Sequence, residues 1–173
     1  MSRSTLVHQG RSIAVYVEDV ELPNGRRVRL DLVRHPGASA VVPFTSERDV
    51  LLLRQYRYAV GGTILEVPAG KLDGEAPETC AARELEEEAG RRAGRLVRLA
   101  SIWTTPGFTD EVIHLFAAFD LTEVPPRHDE DEVIEVIEMP LSRALELVWS
   151  GELRDAKSAL ALSHAARHVG RLR

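Results

Sequence analysis

The stretch that decides how this chain is read is Gly70–Gly90, GKLDGEAPETCAARELEEEAG. A glycine-bearing turn leads into a short helix carrying Glu78, Glu84, Glu86, Glu87 and Glu88, together with Arg83. At about 100° per residue, Glu84 and Glu88 project about 40° apart and Glu87 falls within about 60° of Glu84, so these carboxylates share a stripe. Ala81, Leu85 and Ala89 form a second, apolar stripe about 120° away, suited to packing on a sheet. Pro77 suits the first helical turn and Gly90 the C-terminal cap.

Like charges at i,i+4 weaken a helix by a few tenths of a kcal/mol, so the acidic stripe calls for a cationic partner. A hard divalent cation with oxygen ligands would meet that need. The plainer alternative is a solvated helix face on which Arg83 and Glu87 form an ordinary i,i+4 pair. Helix composition alone favours this alternative, and the spacing reverses the preference. Gly70, Glu75, Arg83-Glu84-Leu85, Glu87-Glu88 and Gly90 resemble the Nudix box, with seven residues from Glu75 to Arg83 in register. Two positions depart from that pattern: the Gly70–Glu75 interval is one residue short, and Arg91 stands where the family prefers an aliphatic residue. The first departure bears on a backbone carbonyl near the metal, the second on packing at the helix exit, and neither removes a carboxylate.

At 173 residues, with 44% hydrophobic and 28% charged residues, the chain fits one catalytic domain with a small appendage. The net charge of −5 argues against general nucleic-acid binding. It leaves room for an anionic substrate, because metal ions and a few arginines can reverse the local potential. Cys80 is the only cysteine, no secretory hydrophobic region is seen at the N-terminus, and the longest apolar runs are too short for a membrane span. The expected compartment is the cytoplasm, with no membrane partner.

Strands are expected at Ile13–Val20 and Arg26–Val33, joined by the Asn24-Gly25 turn. Such a ribbon is rarely stable alone and needs a partner surface. Further strands are expected at Ala38–Phe44, Asp49–Tyr58, Thr63–Val67, Leu96–Trp103, Val112–Leu121 and Val133–Met139, and Pro68-Ala69-Gly70 reads as a turn. Amphipathic helices are expected at Leu141–Ser150 and from an Asp155 N-cap to His168. Mixed strands flanked by helices give an α/β or α+β sandwich.

Beyond the box, RQYRYAVGG, LEVPAGKLD, TTPGFTDE and DEVIEV resemble the ADP-ribose pyrophosphatase branch of the Nudix hydrolases over roughly residues 50 to 140. The resemblance implies an α/β/α sandwich with a mixed sheet over residues 37–173. Residues 1–36 would then form a small N-terminal β-hairpin that takes part in homodimerisation. It further implies Mg²⁺-dependent hydrolysis of a nucleoside diphosphate sugar, with Mn²⁺ able to substitute; from ADP-ribose the products would be AMP and ribose 5-phosphate. GDP-mannose, FAD and dinucleoside polyphosphates are alternative substrates, and a non-catalytic ADP-ribose-binding regulator is an alternative of another class.

The resemblance assigns roles to particular residues. Glu84 and Glu88 would bind the metal, with Glu87 for an additional ion, the Ala69 carbonyl as a further ligand and Arg83 orienting a glutamate. The base would be Glu132 in the acidic loop before the last strand, with Glu130 as the second choice and a solvated acidic turn as the plain alternative. Arg57 would contact phosphate with Arg54 in support, and Gly107 and Glu111 belong to the loop facing the terminal ribose. His114 reads as a structural histidine, Trp103 and Trp149 as packing residues, and Cys80 as a small buried residue.

Overall fold

The computed structural model describes residues 3–10, 13–128 and 133–172. In chain order the strands are β1 (Arg3–Gln9), β2 (Ala14–Glu21), β3 (Arg27–Arg34), β4 (Ala38–Pro43), β5 (Asp49–Arg57), β6 (Gly62–Glu66), β7 (Ala69–Lys71), β8 (Arg91–Trp103), β9 (Val112–Glu123) and β10 (Ile134–Pro140). The helices are α1 (Pro77–Ala89), α2 (Leu141–Ser150) and α3 (Ala156–His168). The strands form three sheets, in the orders β1-β2-β3, β10-β5-β6 and β7-β4-β9-β8. The pairing of β4 with β9 is parallel and that with β7 antiparallel, so the central sheet is mixed.

Strand β4 is buried at every position, and its period-two alternation divides the core into two layers. Val41 with Leu51, Leu53 and Phe116 packs on Ala81, Leu85 and Ala89 of α1, the apolar stripe foreseen from the sequence. Ala40, Val42, Leu52 and Leu115 face the other way, onto Leu145 of α2 and Leu162 of α3. The result is the expected α/β/α sandwich. Helix α1 begins with Pro77 in its first turn and ends at Gly90 (φ 61°), whose N–H reaches Glu86 O at 3.2 Å. Asp155 caps α3 by accepting from Ser158 N at 3.1 Å.

The structure differs from the sequence reading at three places. The N-terminal unit is a three-stranded antiparallel sheet, because Arg3–Gln9 adds to the edge of the foreseen pair, with Arg3 opposite Asp19 and Gln9 opposite Ala14. All seven residues of β1 are exposed, so the segment has no one-sided apolar pattern to read and is defined by its ladder to β2. Ala69–Lys71, read as part of a turn, pairs with β4 through Ala40 opposite Ala69. Strand β8 starts directly after Gly90, where Arg91, Arg92 and Arg95 obscure a strand that is paired along most of its length to β9.

The short Gly70–Glu75 interval closes as a tight turn. Glu75 N reaches Leu72 O at 2.9 Å, and both intervening residues, Asp73 (φ 45°) and Gly74 (φ 89°), are left-handed. The N-terminal sheet joins the sandwich through Val33 N to Phe108 O at 2.7 Å, Arg34 to Asp110 at 2.9 Å and His35 N to Asp110 at 3.0 Å. It thereby braces the loop that carries Glu111.

Candidate active site

A cleft of about 820 Å³ opens where the end of β5, strand β7, helix α1, the end of β8 and the N-terminus of α3 meet. Its lining includes Glu84, Glu87 and Glu88 on one side and Arg57 and Lys157 among its cations, so acids and bases from distant parts of the chain converge.

The acidic wall is built by close backbone approach. Glu84 and Glu88 are 9% and 3% exposed, which is rare for carboxylates unless they are engaged. Glu88 Oε2 accepts the Ala69 N–H at 2.8 Å, tying β7 to α1. Gly70 lies so close to Glu84 that a Cβ there would stand 1.7 Å from Glu84 Oε1, which accounts for a glycine at this position. Arg83 knits the stripe together: it donates to Glu75 at 2.6 and 2.9 Å, to Glu84 at 2.7 Å, to Glu87 at 2.8 Å and to the Lys71 carbonyl at 3.2 Å. Burial works to lower the Arg83 pKa, but its bonds to Glu75 and Glu87 and the nearby Glu84 charge hold it above the ordinary arginine value. Arg83 thus bridges two glutamates of the stripe and Glu75.

The donor set is all oxygen and suits a hard cation. Among the described residues no group of three or more His, Cys, Asp or Glu side chains closes into a metal cage.

The opposite wall centres on Arg57, whose guanidinium grips Glu66 with Nε to Oε1 at 2.7 Å and Nη2 to Oε2 at 3.1 Å. Burial works against the charged form, and the Glu66 contacts outweigh it, raising the Arg57 pKa. Arg54 takes another course: it pairs with Glu135 across the β5–β10 ladder at 2.8 Å and lies outside the cleft lining. Glu111 lines the cleft and accepts from Thr104 Oγ1 at 2.7 Å, while Gly107 sits in the same loop outside the lining. His35 Nδ1 lies 3.3 Å from Glu111, but it also accepts the Gly37 N–H at 3.1 Å, so with neutral imidazole this approach is not a hydrogen bond.

Glu130 and Glu132 lie outside the described residues. The described residue ahead of them, His128, contacts the Glu88 carbonyl at 3.0 Å, and Arg127 N donates to Glu87 O at 2.9 Å. On the far side, the Val133 carbonyl accepts from Tyr56 N at 3.2 Å.

Trp103, read as a packing residue, is 71% exposed on the cleft at the last rung of the β8–β9 ladder, and Trp149 is 66% exposed. His114 is structural as read: its Nδ1 meets Arg98 at 3.1 Å and Ser101 at 2.9 Å, and burial and the Arg98 charge lower its pKa. Cys80 is fully buried against the Gly70 and Lys71 carbonyls, and burial pushes its thiol up to about 11. Glu66 and Lys157 had no role in the sequence reading. A glutamate inside the apolar strand sequence TILEV was the available signal for the first; Lys157, in the first turn of an amphipathic helix, offered none.

This geometry, a glutamate-rich helix hung from a glycine turn on a mixed sheet, places the molecule with its relatives. The chain belongs to the Nudix family, its residues 33–160 matching the NUDIX domain. It is 46% identical over 161 residues to an ADP-ribose pyrophosphatase of Bacillus subtilis (strain 168), covering 91% of this chain and 87% of that protein. It is 42% identical over 161 residues to a methanol dehydrogenase activator of Bacillus methanolicus, with the same coverage of 91% and 87%. A crystal structure of an ADP compounds hydrolase superposes with a TM-score of 0.84 at 24% identity, over 98% of this chain and 95% of that one, and shares the fold.

Proposed function

We propose that this Nudix enzyme hydrolyses the pyrophosphate bond of ADP-ribose or a related nucleoside diphosphate sugar, releasing AMP and ribose 5-phosphate from ADP-ribose. The observation that carries this reading is the pair of buried carboxylates, Glu84 and Glu88, facing a cleft that Arg57 also lines. Relatives named for ADP-ribose support the choice of substrate.

Glu84 and Glu88, with the Ala69 carbonyl, would hold Mg²⁺, Glu87 would serve an additional ion, and Mn²⁺ can be exchanged for Mg²⁺ in assays. When bound, the ion supplies charge neutralisation at the diphosphate and acidifies a bound water. Arg83 keeps Glu84 and Glu87 in orientation. Arg57 binds a phosphate oxygen through its guanidinium edge, Arg54 being held by Glu135 outside the cleft, and Gly107 lies in the loop that faces the terminal ribose. Glu111 accepts from a sugar hydroxyl. Glu132, or in its place Glu130, accepts the proton of the attacking water, because glutamates committed to a cation are poor bases.

In an AMP-release assay with Mg²⁺ across ADP-ribose, GDP-mannose, FAD and dinucleoside polyphosphates, ADP-ribose is expected to give the highest kcat/KM. Chelation should abolish the activity. Tight ADP-ribose binding in calorimetry with no product from any diphosphate would replace this reading with that of a binding module.

Residues 1–36 form the appendage and 37–173 the catalytic domain of a cytoplasmic homodimer in this reading. Leu6, Val7, Ile13 and Leu30 are exposed on or beside the N-terminal sheet, and apolar residues so placed favour a protein partner. Among the described residues no helix is long and apolar enough to cross a membrane. Light scattering at micromolar concentration should return a dimer mass; a fully active monomer would exclude the assembly.

A further inference from the structure

Glu66 is 1% exposed and is gripped by two cations from different parts of the chain. Arg57 holds both of its oxygens, and the ammonium of Lys157, from the first turn of α3, contacts Oε2. Lys157 also reaches Asp155 Oδ2 at 2.8 Å, and its side chain is only 15% exposed. The start of α3 is fastened to the residue after Glu66, because Ser158 Oγ accepts the Val67 N–H at 2.8 Å. The third helix is thus locked, through one buried carboxylate, to the arginine of the cleft.

A buried glutamate with one cationic partner would draw that partner fully into its own neutralisation. Here Lys157 shares the load. Arg57 engages Glu66 through Nε and Nη2, leaving Nη1 without a hydrogen bond among the described residues, and its side chain remains 42% exposed on the cleft. We infer that Lys157 and Glu66 are positioning residues for Arg57: Glu66 fixes the guanidinium plane, and Lys157 offsets the Glu66 charge so that Arg57 keeps its attraction for a substrate phosphate. This rests on the diphosphate reading of the cleft, and it gives α3 a part in phosphate recognition.

The test measures binding of inorganic pyrophosphate in the presence of Mg²⁺ by calorimetry, alongside ADP-ribose kinetics, for Lys157→Gln, Arg57→Ala and the double variant. Gln can still hydrogen-bond Glu66 but carries no charge, so the α3 attachment survives and only the offset is lost. Losing a charge-assisted arrangement of this kind predicts an about tenfold weaker pyrophosphate affinity and a similar rise in KM, with kcat within about threefold. Lys157→Arg should restore most of the affinity. In the double variant, Lys157→Gln should add less than about twofold to Arg57→Ala, since both act through one guanidinium. Effects that multiply, or an unchanged affinity with a lowered melting temperature, would overturn the inference. A wild-type protein that fails to bind pyrophosphate overturns it too, whereas one that binds pyrophosphate without cleaving ADP-ribose counts only against the choice of substrate.

Discussion

Glu84→Gln and Glu88→Gln are each expected to lower kcat by about a hundredfold to a thousandfold, because a carboxylate holding a catalytic cation contributes several kcal/mol to the transition state. The two variants should differ in what else they disturb. Glu88 anchors β7 through the Ala69 N–H, and a glutamine oxygen can still accept that bond, so Glu88→Gln should retain the cleft while losing charge. Glu84 is bound by Arg83 at 2.7 Å, so Glu84→Gln also releases part of the arginine that orients Glu87. Titrating activity with Mg²⁺ should show a higher half-saturation for both, with melting temperatures near wild type without metal. If either variant turned over ADP-ribose normally at low Mg²⁺, that residue would not be a metal ligand.

Gly70→Ala should be nearly as damaging, although it touches no charge. The added methyl would stand 1.7 Å from Glu84 Oε1 and 2.2 Å from its Cδ, well inside any real contact. Gly70 lies within strand β7 and is not among the residues with positive φ, so the backbone itself tolerates alanine. The clash therefore falls on the Glu84 side chain, which must rotate away from Arg83 and out of the acidic wall. The expected loss is about a hundredfold in kcat at fixed Mg²⁺, with a modest change in melting temperature because the displaced group is the end of a side chain. In the combination Gly70→Ala/Glu84→Ala, the glycine substitution should add almost nothing to Glu84→Ala, since the group it displaces is gone. Additive losses would mean that Gly70 acts through the backbone instead.

These expectations show where the sequence was informative. The apolar stripe Ala81, Leu85 and Ala89 was legible because helical period alone sets which side chains share a face, and all three are buried against β4 and its neighbours. The repulsion in the glutamate stripe was equally legible, but its relief was not fully so: Arg83 already bridges Glu75, Glu84 and Glu87, a satisfaction that the i,i+4 pairing with Glu87 only hinted at. Strand β1 and the early start of β8 were missed because their residues are polar or exposed and are defined by their ladders to β2 and β9 rather than by a one-sided apolar pattern.

By itself, the sequence determined the chemistry of the acidic wall, since residue type, helical period and the register of Gly70, Glu75, Arg83, Glu84, Glu87 and Glu88 are all local quantities. How the wall around Arg57 is assembled was decided only by the tertiary structure. Arg57 and Glu66 are 9 residues apart and Lys157 lies a further 91 beyond Glu66, and they meet because the ends of β5 and β6 and the start of α3 come together at one cleft. Arg54, three residues from Arg57 and read from the sequence as its support, is directed instead to Glu135 by the β5–β10 register. Pairing register and the burial of a charge are properties of the assembled sheet and its covering helix, and no local pattern in the chain encodes them.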